Sequence, residues 1–130
     1  MELEKDLMRE ILLAVEASRN NPDHGIDLSI ENRTHQDLSY HVMLMREAGL
    51  LMAQNATYLA DTFPVWKPQR LTYKGHEFLD TIRDDEVWRQ TKAGMEKAGG
   101  AGLSFVLEIA KAIGKQVLKE RLSKLGIELP

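Results

Sequence analysis

Apolar residues near the start of the chain fall at Leu3, Leu7, Ile11 and Val15, with Met8 and Leu12 beside them. Steps of three and four put such residues on one side of a helix, so the pattern predicts a first helix from Leu3 to about Ser18. Asn20-Asn21-Pro22-Asp23-His24-Gly25 then gathers turn-forming residues, and the proline disfavours helical backbone at Asn21. Ile26, Leu28 and Ile30 alternate with Asp27, Ser29 and Glu31, the period-two pattern of a short half-buried strand. A second helix is expected from about Thr34 to Ala48, with Leu38, Val42 and Met45 on one side. Gly49 is placed to end it as a left-handed cap.

Leu50-Leu51-Met52-Ala53 and Val65-Trp66 with Arg70-Leu71 read as two strands of a hairpin with a broad tip, whose connection holds Asn55, Asp61 and Pro64. Thr72 is an N-cap for a helix carrying Phe78, Leu79 and Ile82. That helix breaks at Asp84-Asp85, whose carboxylates suit the N-terminus of a further helix, Glu86 to Lys97. Gly99-Gly100-Ala101-Gly102 is a linker. Beyond it, Leu103, Val106, Leu107, Ala110, Ile113, Val117, Leu122 and Leu125 describe a long closing helix. The order predicts a mainly helical fold with a small three-stranded antiparallel sheet. It corresponds to a winged helix-turn-helix-like domain over residues 1–83 with a C-terminal helical extension over 84–130, in one compact unit. A standard winged helix has one more helix before its recognition helix, and Asn32 to Gln36 leaves room for about one turn of it.

Ser39-Tyr40-His41-Val42, through Met45 to Ala48-Gly49-Leu50-Leu51, resembles the recognition-helix signature of small bacterial winged-helix repressors. A longer resemblance rests on three blocks. They are Asp6-Leu7-Met8-Arg9 with Ile11-Leu12-Leu13, Tyr40-His41 to Ala48-Gly49-Leu50, and Leu71-Thr72 with Gly75-His76-Glu77-Phe78-Leu79-Asp80 and Ile82-Arg83-Asp84-Asp85. In these blocks the chain, up to about Lys97, is similar to a bacterial and phage-borne family known as domain of unknown function 2513. The resemblance implies a winged-helix-like fold and residence on mobile elements such as prophages, and it names no activity.

A length of 130 residues suits one domain able to bury a core without disulfides or metal. Hydrophobic content of 43% against 28% charged excludes a globally disordered chain. The absence of cysteine removes disulfide frameworks, thiolate nucleophiles and cysteine-based zinc sites. A net charge of -3 lacks the broad positive field of a sequence-indifferent nucleic-acid binder, so any such role must lie in a local patch. Residues 1–32 carry three basic and eight acidic side chains, residues 33–76 five and three, and residues 77–130 nine of each. The expected reading region is thus the only net positive part. An acidic amphipathic start without a signal-peptide pattern, and no apolar run of membrane-spanning length, predict a cytoplasmic protein that does not insert in membranes.

With Leu38 at the centre of the buried face, a step of about 100° per residue sets Gln36, Tyr40, Met43 and Glu47 opposite it. For double-stranded DNA, Gln36, Ser39, Tyr40 and Met43 would lie nearest the bases. Arg33, Arg46, Lys67, Arg70 and Lys74 would then contact phosphates. The Tyr40 and Met43 face equally suits a host or phage protein, because exposed aromatic and methionine side chains adapt to partner surfaces. A third reading packs this face under the hairpin connection, where Tyr58, Leu59, Phe63 and Trp66 also need partners. The closing helix has more apolar residues than one stripe needs, and Ala110 with Gly114 permits close approach, which suggests a homodimer there. Its other side carries Lys111, Lys115, Lys119, Arg121 and Lys124.

Enzymatic features are sparse. His35 and His41 point about 120° apart on a helix, which excludes the i, i+4 pair of a helical zinc site. His41 falls near the buried face as a hydrogen-bonded core histidine. Asp80, Asp84, Asp85 and Glu86 surround a helix junction as caps. The glycine run lacks the lysine and hydroxyl residue of a phosphate loop, and Ser104 has no evident histidine base. No catalytic residue, metal site or cofactor is expected.

Overall fold

A computed structural model describes residues 1–100 and 102–128; Ala101 of the glycine linker lies outside the described residues. The described chain is mainly helical, in the order α1 (Lys5–Ala17), α2 (His35–Glu47), β1 (Leu51–Asn55), β2 (Trp66–Leu71), α3 (Tyr73–Ile82), α4 (Asp85–Lys97) and α5 (Leu103–Lys124). It divides into two compact units, Met1–Leu79 and Asp80–Pro130.

In the first unit α1 and α2 pack on each other and on the β1–β2 hairpin. The stripe Leu7, Met8, Ile11, Leu12 and Val15 is buried as its spacing requires, together with Leu38, Val42 and Met45 of α2. Leu50, Leu51, Leu71, Phe78 and Leu79 complete this core. The α2 helix ends as expected. Gly49 adopts φ 78°, which lets its N–H reach the Arg46 carbonyl at 3.0 Å while the Leu50 N–H reaches Met45 at 2.9 Å. Thr72 caps α3 by accepting from the Gly75 N–H at 3.0 Å. Its hydroxyl also donates to the Gly49 carbonyl, tying the end of α2 to the start of α3.

The expected strand through Ile26, Leu28 and Ile30 is not formed, and the sheet has two strands rather than three. The segment runs beside the free edge of β2 with one backbone bond, from the Ile26 N–H to the Pro68 carbonyl at 2.7 Å. An antiparallel bridge there needs a reciprocal donation from residue 68, and proline has no N–H to give. Pro68 also sits at a bulge, since Met52 pairs with Arg70 but Ala53 with Pro68, leaving Gln69 as the extra residue. Between the segment and α2 there is no further helix. The chain makes a single turn, closed by the Arg33 N–H on the Ile30 carbonyl at 3.1 Å, with Asn32 at φ 65°.

In the second unit α4 and α5 pack together. Asp84 caps α4 by accepting from the Glu86 and Val87 N–H groups at 3.0 and 3.1 Å. Val87, Trp88, Thr91 and Met95 face inward from α4, and Val106, Ala110 and Val117 from α5. The Thr91 hydroxyl, wholly buried, donates to the Val87 carbonyl at 2.6 Å.

Candidate recognition face on α2

Thr34 starts α2 by accepting from the Asp37 N–H at 3.1 Å. The helix then separates two kinds of surface. Its inner side holds Leu38, Val42 and Met45 with two buried polar residues, Ser39 and His41. The imidazole of His41 is fully buried. The Glu4 N–H donates to its Nε2 at 2.9 Å, and its Nδ1 lies 2.8 Å from the Asp37 carbonyl oxygen. A backbone N–H only donates and a carbonyl only accepts, so the ring is the neutral tautomer with its proton on Nδ1. His41 is therefore a satisfied core group, as its position on the helix predicted, and it fills the free donor at the N-cap of α1.

The outer side carries Gln36, Tyr40, Met43 and Glu47, of which Gln36 and Glu47 are exposed and Tyr40 and Met43 half-buried. Gln36, Ser39, Tyr40 and Met43 are brought together. They line one shallow groove of about 90 Å³ whose other wall includes Phe63, Pro64 and Trp66. The residue of this set unavailable to a ligand is Ser39. Its hydroxyl donates to the Pro64 carbonyl at 2.6 Å and accepts from the Trp66 N–H at 2.7 Å, clamping the hairpin connection onto α2.

The connection, residues 56–65, is held by its own polar side chains. Asn55 Oδ1 accepts from the Thr57 N–H at 3.1 Å and from its hydroxyl at 2.6 Å, and Thr57 Oγ1 accepts from the Val65 N–H at 2.8 Å. Asp61 Oδ2 accepts from the Tyr58 N–H at 2.7 Å, while the Asp61 N–H donates to the Tyr58 carbonyl at 3.0 Å. Phe63 packs toward α2 as the covered-face reading expected, but Tyr58 is 77% exposed and Leu59 wholly so. The turn-forming triplet Asn55-Ala56-Thr57 was the available sequence signal for this frame.

The five expected phosphate contacts all have partners within the chain. Arg33 Nη1 meets both oxygens of Glu4 at 2.8 Å, which raises the guanidinium above its ordinary value. Lys67 Nζ lies 2.7 Å from Asp27 Oδ1, and the pairing lowers the Asp27 carboxyl and raises the Lys67 ammonium. Arg46 stands 5.2 Å over the Trp66 ring, a cation–π contact that spacing alone does not reveal. Arg70 donates to the Leu71 carbonyl at 3.1 Å and Lys74 to the Ala48 carbonyl at 3.0 Å, the latter satisfying the C-terminal end of α2. Two of the five cations are thus neutralised by a carboxylate.

Among the described residues, no group of three or more His, Asp or Glu is placed to hold a metal ion. Every buried side-chain N or O there has a hydrogen-bond partner. No helix is long and apolar enough to cross a membrane.

No solved structure matches the chain. An uncharacterized protein of Haemophilus influenzae is 31% identical over 114 residues, which span 87% of this chain and 95% of the relative. The family described as "Hypothetical protein (DUF2513)" matches residues 2–101, and with that coverage the chain belongs to the DUF2513 family.

Proposed function

We propose that the chain is a non-enzymatic recognition module that docks a protein through the α2 groove and the tip of the β1–β2 connection. The observation that carries this reading is the self-braced connection, which holds Tyr58 and Leu59 out in solvent. Ordering a loop on binding costs affinity, and a loop already fixed by Asn55, Thr57 and Asp61 avoids most of that loss. Large apolar side chains on such a frame suit an apolar depression of a protein partner. The groove between Tyr40, Met43 and Phe63 accepts one apolar side chain in return. Electrostatics favour the same choice. Residues 56–65 contain no basic side chain, and residues 1–79 carry eight basic against twelve acidic groups. Phosphate attraction, the main source of DNA affinity, is correspondingly weak.

A second reading, binding of double-stranded DNA by a regulator of bacterial or prophage origin, is favoured by a different observation. The Ile26 segment lies on the free edge of β2, where a winged helix has its first strand, and α2 precedes the β1–β2 hairpin as a recognition helix precedes its wing. Arg46, Arg70 and Lys74 have no carboxylate partner among the described residues and would supply phosphate contacts.

One experiment separates the two. Pooled genomic fragments are offered to the purified protein from about 50 to 200 mM salt, where several phosphate contacts cost orders of magnitude in affinity. A photo-crosslinker is placed at position 43 in cells in parallel. The protein reading expects no enriched fragment and one crosslinked protein, lost on Leu59→Ser and retained in Arg70→Ala. An enriched fragment with a steep salt slope, lost in Arg46→Ala and Arg70→Ala, overturns it in favour of DNA.

A further inference from the structure

Ahead of α1 the chain is fixed at one residue and loose before it. Glu4 is held three ways: its N–H donates to His41 Nε2 at 2.9 Å, both its carboxylate oxygens meet Arg33 Nη1 at 2.8 Å, and its carbonyl accepts from the Met8 N–H at 3.1 Å. Among the described residues, no hydrogen bond or ion pair holds Met1, Glu2 or Leu3.

This short segment nevertheless lies on the candidate site. Met1 lines the α2 groove together with Tyr40, Met43, Phe63 and Trp66. The tether explains how it gets there. Three residues reach at most about 10 Å from Glu4, and at about 1.5 Å per residue that is the length of α2 between positions 36 and 43, the stretch that also holds the anchor His41. Met1 is only partly covered, at 61% exposed, and the unbranched thioether of methionine adapts to an irregular apolar surface.

We propose that residues 1–3 form a self-occluding strap, hinged at Glu4, in which Met1 takes the place in the α2 groove that a partner's apolar side chain must claim. The inference rests on the reading of this groove as a docking site. A side chain tethered by three residues acts at an effective concentration of order millimolar, so a single weak apolar contact from outside meets a standing competitor. Because Met1 has no polar bond to break and is covered over less than half its surface, the strap lowers the apparent affinity without closing the groove. A partner that also grips Tyr58 and Leu59 on the connection displaces it, whereas a stray apolar side chain does not.

The test uses the full chain, released from a fusion by proteolysis so that position 1 can be varied. With methyl-labelled methionine, nuclear Overhauser contacts are expected between the Met1 methyl and the ring of Tyr40, Phe63 or Trp66. N-acetyl-leucinamide, a stand-in for one apolar side chain, is then titrated and its binding read at the Met43 methyl. It is expected to remove the Met1 contacts and to bind Met1→Ser roughly threefold or more tightly than the wild type. Since position 1 is mostly exposed, the variant should keep the wild-type melting point. Absence of the Met1 contacts in the free chain, their persistence with the probe bound, or equal or weaker binding to Met1→Ser overturns the strap and leaves the docking groove standing. A probe that moves the Met43 methyl in neither chain overturns the docking groove itself, and the strap with it.

Discussion

Gly75 in the first unit and Gly114 in the second both lie inside helices, and they are there for opposite reasons. A Cβ on Gly75 would fall 1.8 Å from the Leu50 carbonyl oxygen, an overlap with backbone that no rotamer relieves. A Cβ on Gly114 would touch nothing closer than 4.0 Å. The first unit has satisfied its special positions internally: Gly75 lets α3 lie against Leu50, His41 satisfies Glu4, and Ser39 holds the connection. The second unit, a pair of packed helices, keeps a glycine and several large apolar side chains that its own fold does not use. A residue explained by contacts within the chain reports on folding, and one left unexplained points outward.

The contrast can be broken most sharply at Gly75. Gly75→Ala is expected to cost about 3 kcal/mol or more, because backbone rather than a flexible side chain must move. Urea titration would show this, and a wild-type midpoint would contradict the close approach. Next, His41→Phe keeps the ring volume but leaves the Glu4 N–H without its acceptor, at an expected cost of about 1–3 kcal/mol. Amide exchange should accelerate locally at the start of α1.

Smaller effects belong to the second unit. Asp84→Ala removes the N-cap of α4, worth about 1 kcal/mol, while the exposed Arg121 pair adds little. The same carboxyl gives a pH signature. Arg121 and then the Val87 N–H hold Asp84 down at about 2, and Arg89 and Gln90 hold Glu86 at about 2. Both carboxyls are more acidic folded than unfolded, so their stabilisation is complete above about pH 4 and is lost as pH falls toward 2. Melting points measured across that window should drop, and the drop should be shallower in Asp84→Ala. The smallest effect has the opposite sign. Gly114→Ala should stabilise the chain by about 0.5–1 kcal/mol through helix propensity, measured by urea titration. A loss instead would mean that Gly114 is needed within the chain and would erase the contrast with Gly75.

The local rules of the chain were legible because each depends on near neighbours. The α1 stripe, Thr72 and Asp84 as caps and Gly49 as a left-handed terminator all follow from spacing within a turn or two. The strand at Ile26 failed for a distant reason. Its alternation is genuine, but the residue facing it across the sheet edge is Pro68, and no pattern within residues 26–30 encodes that partner. The candidate site shows the same division. Helical periodicity correctly grouped Gln36, Tyr40 and Met43 on one side of α2, yet it gave no warning that Pro64 and Trp66 would engage Ser39. Nor did it show that Glu4 and Asp27 would neutralise Arg33 and Lys67.

By itself the sequence determined the identity and limits of most helices, the hairpin, the buried stripe and the core position of His41, because backbone preference and hydrophobic period act over a few residues. Only the tertiary structure decided which polar and charged groups remain available. Residues 27 and 67, 4 and 33, or 39 and 64 meet through folding, and a charge or hydroxyl loses its freedom to bind elsewhere once such a partner arrives.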